Sequence, residues 1–204
     1  MRRQHFGNDM IDDIPYQCTQ GVSLVTMQQI IRVESGGNPF AIGVVGGHLE
    51  RQPKTLSEAV ATVRSLEQNG FNYSIGISQV NRIHFARLGW KEAIENGFDV
   101  CTNLKAGAGI YRDCYNGALR AGYRHDGNAA GNSGSRIGDR FDADSSAVGS
   151  AVGSATRASL SCYYSGNFVT GEKLGYVSKV LGTESAATPG AIIFAKKTAA
   201  SMFD

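Results

Sequence analysis

A helix that runs out on an acid, and cannot go further, is the strongest constraint this chain carries. Leu24, Met27, Ile31 and Glu34 fall at i, i+3, i+7 and i+10, so they share one helical face. Three are apolar and the fourth is a carboxylic acid. Ser23 is placed to cap the start of this helix, which runs to about Ser35. Gly36 and Gly37 suit a stop in the left-handed region, and Asn38-Pro39 blocks continuation. A stripe that otherwise faces a core thus ends in an ionisable group. Desolvation of that carboxyl disfavours its charged form and raises its pKa, as a general acid near neutral pH requires. The ordinary alternative is a glutamate that leans into solvent.

The rest of the chain repeats the helical theme. Thr55-Leu56-Ser57-Glu58 is a capping-box pattern, followed by the stripe Leu56, Ala59, Val60, Val63 and Leu66 and by a stop at Asn69-Gly70. Residues 71–81 are rich in β-formers and broken by Gly76, which predicts a strand-like hairpin or loop. A short helix is expected from Ile83 to Leu88. A longer amphipathic one follows from Asn103 to Leu119, with Leu104, Ala108, Tyr111 and Tyr115 on one side. Gly107 and Gly109 weaken it by roughly 1 kcal/mol each against alanine. Glycines kept at that cost usually let a neighbouring segment come close. A last helical pair is expected at about 155–165 and 172–181.

Between these helices, residues 36–54 hold many glycines with Pro39 and Pro53 and read as an irregular surface loop. From 121 to 155 the composition shifts to Gly, Ser, Ala and Asp. Ala147-Val148-Gly149-Ser150 recurs as Ala151-Val152-Gly153-Ser154, too few copies for a solenoid, so this is a flexible insertion. Residues 1–17 read as a loosely ordered lead and 183–204 as a small-residue tail. The fold class is mainly α, with one small extended or hairpin element in a core formed by 18–120 and 156–182.

Several function classes drop out. At 204 residues the chain fits one domain with appendages. Its formal net charge of +2 provides no basic field for nucleic acid. No apolar run approaches a membrane span, so no transmembrane segment is expected. The N-terminus has basic residues but no apolar core, so no signal peptide is visible; the protein stays inside, or a signal has been removed. His5, His48, His84 and His125 stand alone and no HExxH occurs, which argues against a metal site and points to no cofactor. Gly166 to Gly171 has P-loop spacing, but Glu172 stands where the lysine must be. Asn72-Tyr73-Ser74 matches a glycosylation acceptor, as chance often produces, and no G-x-S-x-G appears. Cys18, Cys101, Cys114 and Cys162 form no C-x-x-C pair and allow three disulfide pairings, or four free thiols in a reducing compartment. On one helix Cys101 and Cys114 would lie roughly 20 Å apart and could not pair.

What remains is a set of polar and aromatic residues at breaks between helices: Glu34-Ser35, Gly76-Ile77-Ser78-Gln79, and Cys162-Tyr163-Tyr164-Ser165-Gly166-Asn167. Aromatic rings with hydrogen-bonding tips suit sugar rings, whose faces are apolar and whose edges carry hydroxyls; ordinary core packing is the alternative. These segments, in order, resemble the motifs of the soluble lytic transglycosylase (SLT) domain. E-S-G-x-N-P is matched from Glu34 to Pro39, G-L-M-Q by Gly76 to Gln79, and A-Y-N-A-G loosely by Cys162 to Gly166. The N-L-x-A-G helix start is matched by Asn103 to Gly107. Gln79-Val80-Asn81 and Ser161-Cys162-Tyr163-Tyr164-Ser165-Gly166-Asn167 most resemble the VirB-type lytic transglycosylases that accompany type IV secretion systems.

The resemblance implies a lysozyme-like (goose-type/SLT) helical fold that cuts the β-1,4 bond between MurNAc and GlcNAc in peptidoglycan and leaves a 1,6-anhydro sugar. The resemblance further implies that such a protein opens the wall for a secretion or conjugation channel, with other secretion components as possible partners. Glu34 would be the single acid/base, with Ser35, Gln79, Asn81, Tyr163 and Tyr164 lining the substrate cleft and Tyr163 able to hydrogen-bond near Glu34. Tyr164 replaces an asparagine of the wider motif. No second acid lies in any motif; Asp99 and Glu50 are the nearest loop candidates, and neither matches a family position. A peptidoglycan substrate implies a periplasmic, exported protein with oxidised cysteines. Antiparallel neighbouring helices then suggest Cys101–Cys162 and Cys18–Cys114. The competing functions are a hydrolytic muramidase of lysozyme type and a wall-binding assembly factor without turnover.

Overall fold

A computed structural model describes residues 11–12, 14–124 and 153–183. Within them seven α-helices surround a small antiparallel sheet, in the mainly α, lysozyme-like arrangement expected. The acid-ending helix is α1 (Leu24–Glu34). Its stripe turns inward as the spacing requires: Leu24 is partly buried, Met27 and Ile31 are fully enclosed together with Ile30, and Glu34 closes the same face. The helix stops because Gly36 and Gly37 both take positive φ, where a side chain would be strained.

Strand β1 (Ile42–Val44) lies inside the stretch expected to be an irregular loop. Only Ile42 and Val44 alternate there, around a glycine, too short a pattern to read as a strand. Tertiary contacts make it one. It pairs with β2 (Tyr73–Ile75), Ile42 facing Ile75 and Val44 facing Tyr73. Its outer edge is closed by the Gln52 carboxamide, whose Oε1 accepts from Ile42 N at 2.8 Å and whose Nε2 donates to Ile42 O at 2.9 Å. Between the two strands runs α2 (Leu56–Gln68), capped by Thr55 with Glu58 as the spacing predicts. β3 (Val80–Asn81) completes the expected hairpin, with strand order β1-β2-β3.

A 3-10 turn (Arg82–His84) and α3 (Phe85–Leu88) follow, ended by Gly89 at φ 69. The long helix α4 (Val100–Arg120) begins three residues before the Asn103 expected, because Asp99 caps it by accepting from Thr102 N at 2.8 Å. α5 (Ser154–Ser165) runs antiparallel to α4. The expected last helix is two, α6 (Thr170–Lys173) and α7 (Tyr176–Leu181), split at Gly175 with φ 75. Ahead of Cys18, Ile11 and Ile14 are buried in the core. Residues 125–152 of the insertion, 184–204 of the tail, and 1–10 and 13 of the lead lie outside the described residues.

The four cysteines are oxidised, in a pairing other than the one expected: Cys18–Cys101 and Cys114–Cys162, instead of Cys101–Cys162 and Cys18–Cys114. The reason is the seating of α5 on α4. Ala155 and Ala158 pack with Ala118 and Tyr115, so α5 starts at the C-terminal end of α4. Cys162 stands eight residues beyond Ser154, about 12 Å along the axis. That distance brings it level with Cys114. Cys101, more than three helical turns away toward the start of α4, is left for Cys18 in the 3-10 turn Tyr16–Cys18.

Candidate active site

The segments singled out from the sequence converge at the end of α1. Glu34 is 6% exposed, and its Oε1 accepts a hydrogen bond of 2.8 Å from the Tyr176 hydroxyl. Tyr176 comes from α7 and stacks on Tyr164 of α5, with ring centroids 4.5 Å apart and planes 20° apart. Offset stacking of two buried rings fixes the hydroxyl in direction as well as position. Tyr163, next to Tyr164, donates instead to the Ser78 carbonyl at 2.5 Å. Its hydroxyl proton is thereby committed to the 76–79 turn, while Tyr176 donates to Glu34.

Burial pushes the hydroxyls of Tyr163, Tyr164 and Tyr176 above the usual phenol range, and the charge of Glu34 adds to the effect. All three therefore stay protonated at any physiological pH. A neutral phenol facing a carboxyl is a hydrogen-bond donor that brings no competing charge.

The remaining residues divide by what their polar atoms do. Ser35 Oγ donates to the Ile77 carbonyl at 2.6 Å and accepts from Gly37 N at 3.2 Å, tying the residue after Glu34 to the second motif. Gln79 sits at φ 50, and its Nε2 donates to the carbonyls of Ala41 and Gly76, both at 2.9 Å. Its Oε1 lies over Gly43 of β1, where a Cβ would stand 2.6 Å away. Asn81 is committed to the hairpin: its Nδ2 donates to Ser74 Oγ at 3.1 Å and its Oδ1 accepts from Ile83 N at 3.2 Å. Asp99 is the cap of α4 and Glu50 is an exposed loop residue beside Arg51 and Pro53. Among the described residues no group of three or more His, Cys, Asp or Glu could hold a metal ion.

Tyr176 was not legible in the sequence. It follows Gly175, opens the six-residue helix α7 and belongs to none of the matched motifs, so only tertiary placement reveals it. The arrangement can deliver a proton to, or take one from, a group bound at the Glu34 carboxyl, whose Oε1 accepts from Tyr176.

The chain matches the family model described as Transglycosylase SLT domain over residues 14–136. It is 40% identical over 182 residues to the type IV secretion system protein virB1 of Brucella abortus biovar 1 (strain 9-941), covering 87% of this chain and 65% of the relative. It is 41% identical over 177 residues to the protein of the same name from Brucella suis biovar 1 (strain 1330), covering 84% and 63%. Protein virB1 of Rhizobium radiobacter is 26% identical over 183 residues, covering 89% and 63%. The chain thus spans just under two thirds of the length of these relatives. No solved structure matches it.

Proposed function

This chain belongs to the Transglycosylase SLT domain family, and from that premise we propose that it is a peptidoglycan lytic transglycosylase with Glu34 as its single acid/base. The observation that supports this most is the burial of Glu34 at the end of α1 with Oε1 on Tyr176, at the meeting point of three sequence-distant motifs.

The Glu34 carboxylic acid gives its proton to the glycosidic oxygen as the bond from C1 of MurNAc to that oxygen breaks. The resulting carboxylate takes the proton of the MurNAc 6-hydroxyl as that oxygen closes on C1. The product is a 1,6-anhydro ring; no water enters, and Glu34 is again protonated. One carboxyl therefore does what most glycosidases divide between two. Tyr176 holds the carboxyl in place through Oε1 in both half-reactions. Tyr164 and Gln79 line the cleft beside it, and Ser35 and Tyr163 fix its walls.

The names of the relatives support a place in type IV secretion, and opening of the wall for a secretion or conjugation channel is the role we propose there. A periplasmic location follows from the substrate, and the two disulfides agree with an oxidising compartment. No helix among the described residues is long and apolar enough to cross a membrane.

Digestion of purified sacculi by wild type and Glu34→Gln tests the reading. The wild type should release muropeptides with anhydro ends, and Glu34→Gln should lose at least about a hundredfold in rate. Reducing ends would favour hydrolysis instead. Wall binding without any release, by both proteins alike, would favour an assembly factor.

A further inference from the structure

We propose that Asn103 is a positioning residue for the reaction, acting through the Ile75–Ser78 turn on both Ser35 and Tyr163. The proposal rests on the transglycosylase reading above. Asn103 lies in the first turns of α4 and is fully buried. Its amide makes every hydrogen bond it can form. Nδ2 donates to the carbonyls of Ile75 at 3.0 Å and Gly97 at 2.8 Å, while Oδ1 accepts from Ser78 N at 2.8 Å and Ser78 Oγ at 2.6 Å. Ser78 Oγ also reaches the Asn103 carbonyl at 3.0 Å.

The turn needs such a clamp. Gly76 and Gln79 both have positive φ, and a non-glycine residue in that region persists only where its surroundings over-determine it. The approach is close enough that a Cβ on Gly76 would overlap the Asn103 amide and the Gly97 carbonyl, and one on Gly107 would overlap the Ser78 side chain.

Two carbonyls of this clamped turn are the acceptors that orient the site. Ile77 O receives Ser35 Oγ beside Glu34, and Ser78 O receives the Tyr163 hydroxyl. A shift of the turn therefore moves both walls of the carboxyl together. Misplacement by about 1 Å can cost about a hundredfold in rate without any direct contact to substrate.

Asn103→Asp tests this, because it keeps the shape and removes both Nδ2 donors. Turnover of soluble glycan strands would be followed by anhydro-muropeptide release, below the melting temperature of each protein. Asn103→Asp should lose about a hundredfold in kcat with KM within about threefold. Ser78→Ala, a milder change, should lose about tenfold. Leu66→Ala, a core change on α2 outside the site, serves as a control at equal or greater loss of melting temperature and should retain kcat. Wild-type kcat in Asn103→Asp overturns the proposal, as does an equal loss in Leu66→Ala. If Asn103→Asp does not fold, wild-type kcat in Ser78→Ala overturns it. A wild type that releases no anhydro product removes the functional reading itself, a result distinct from all of these.

Discussion

The Tyr176 hydroxyl orients, without adding charge, the carboxyl of Glu34 that we propose as the single acid/base. A hydrogen bond to a charged partner contributes on the order of 1.5–3 kcal/mol. Tyr176→Phe, which keeps the ring stacked on Tyr164, should therefore lower kcat by roughly ten- to a hundredfold and leave the fold intact. Steady-state turnover with a melting curve checks both parts. The same tyrosines set an alkaline limit. Their hydroxyls titrate above the ordinary phenol value in the fold, so the unfolded chain loses those protons first. The stability they contribute is complete below about pH 10 and declines as pH rises above it. Melting temperature should fall above that pH, less steeply in Tyr176→Phe. Glu34, Ser35 and Tyr163 of the candidate site stand out in the sequence because each lies within a matched motif. Tyr176 could not, since a lone tyrosine after a glycine has no pattern to carry it. Asn81 shows the reverse: its motif position is visible, yet its amide is taken up by Ser74 and Ile83.

At the scale of elements, the helices were readable wherever a stripe met a cap or a stop. α1 buries Met27, Ile30 and Ile31, each contributing roughly 1.5–3 kcal/mol, and this apolar face carries Glu34 inward with it. Ile31→Ala should cost about 2–5 kcal/mol and lower activity through the same helix, read as a shift in the denaturation midpoint. Asp99 caps α4, and its carboxyl is held below the usual range chiefly by the hydrogen bonds from Thr102. Asp99→Ala should destabilise the protein by about 1 kcal/mol at neutral pH. Because the carboxyl is depressed in the fold, that difference is present above about pH 4 and is lost as pH falls through its lower native value. β1 was missed for the complementary reason. Three residues with one alternation carry no periodic signal, and the strand exists because Ile75, Tyr73 and the Gln52 carboxamide pair with it.

For the whole molecule, the disulfides join what the motifs only juxtapose. Cys114–Cys162 ties α4 to α5 immediately before Tyr163 and Tyr164, and Cys18–Cys101 ties the lead to the start of α4. Their partners were not legible, because pairing depends on where a 12-residue helix seats along a 21-residue one, and no local pattern encodes that offset. Replacing Cys114 and Cys162 together by serine should lower stability by about 2–4 kcal/mol and melting temperature by on the order of 10 °C. The account as a whole depends on one carboxyl returning its own proton, with the substrate's 6-hydroxyl in the place of water. Digestion of sacculi in oxygen-18 water, followed by mass spectrometry of the released muropeptides, tests that most directly. Muramyl ends short by one water and free of the heavy isotope are the predicted result. Heavy oxygen at C1 of MurNAc would contradict it.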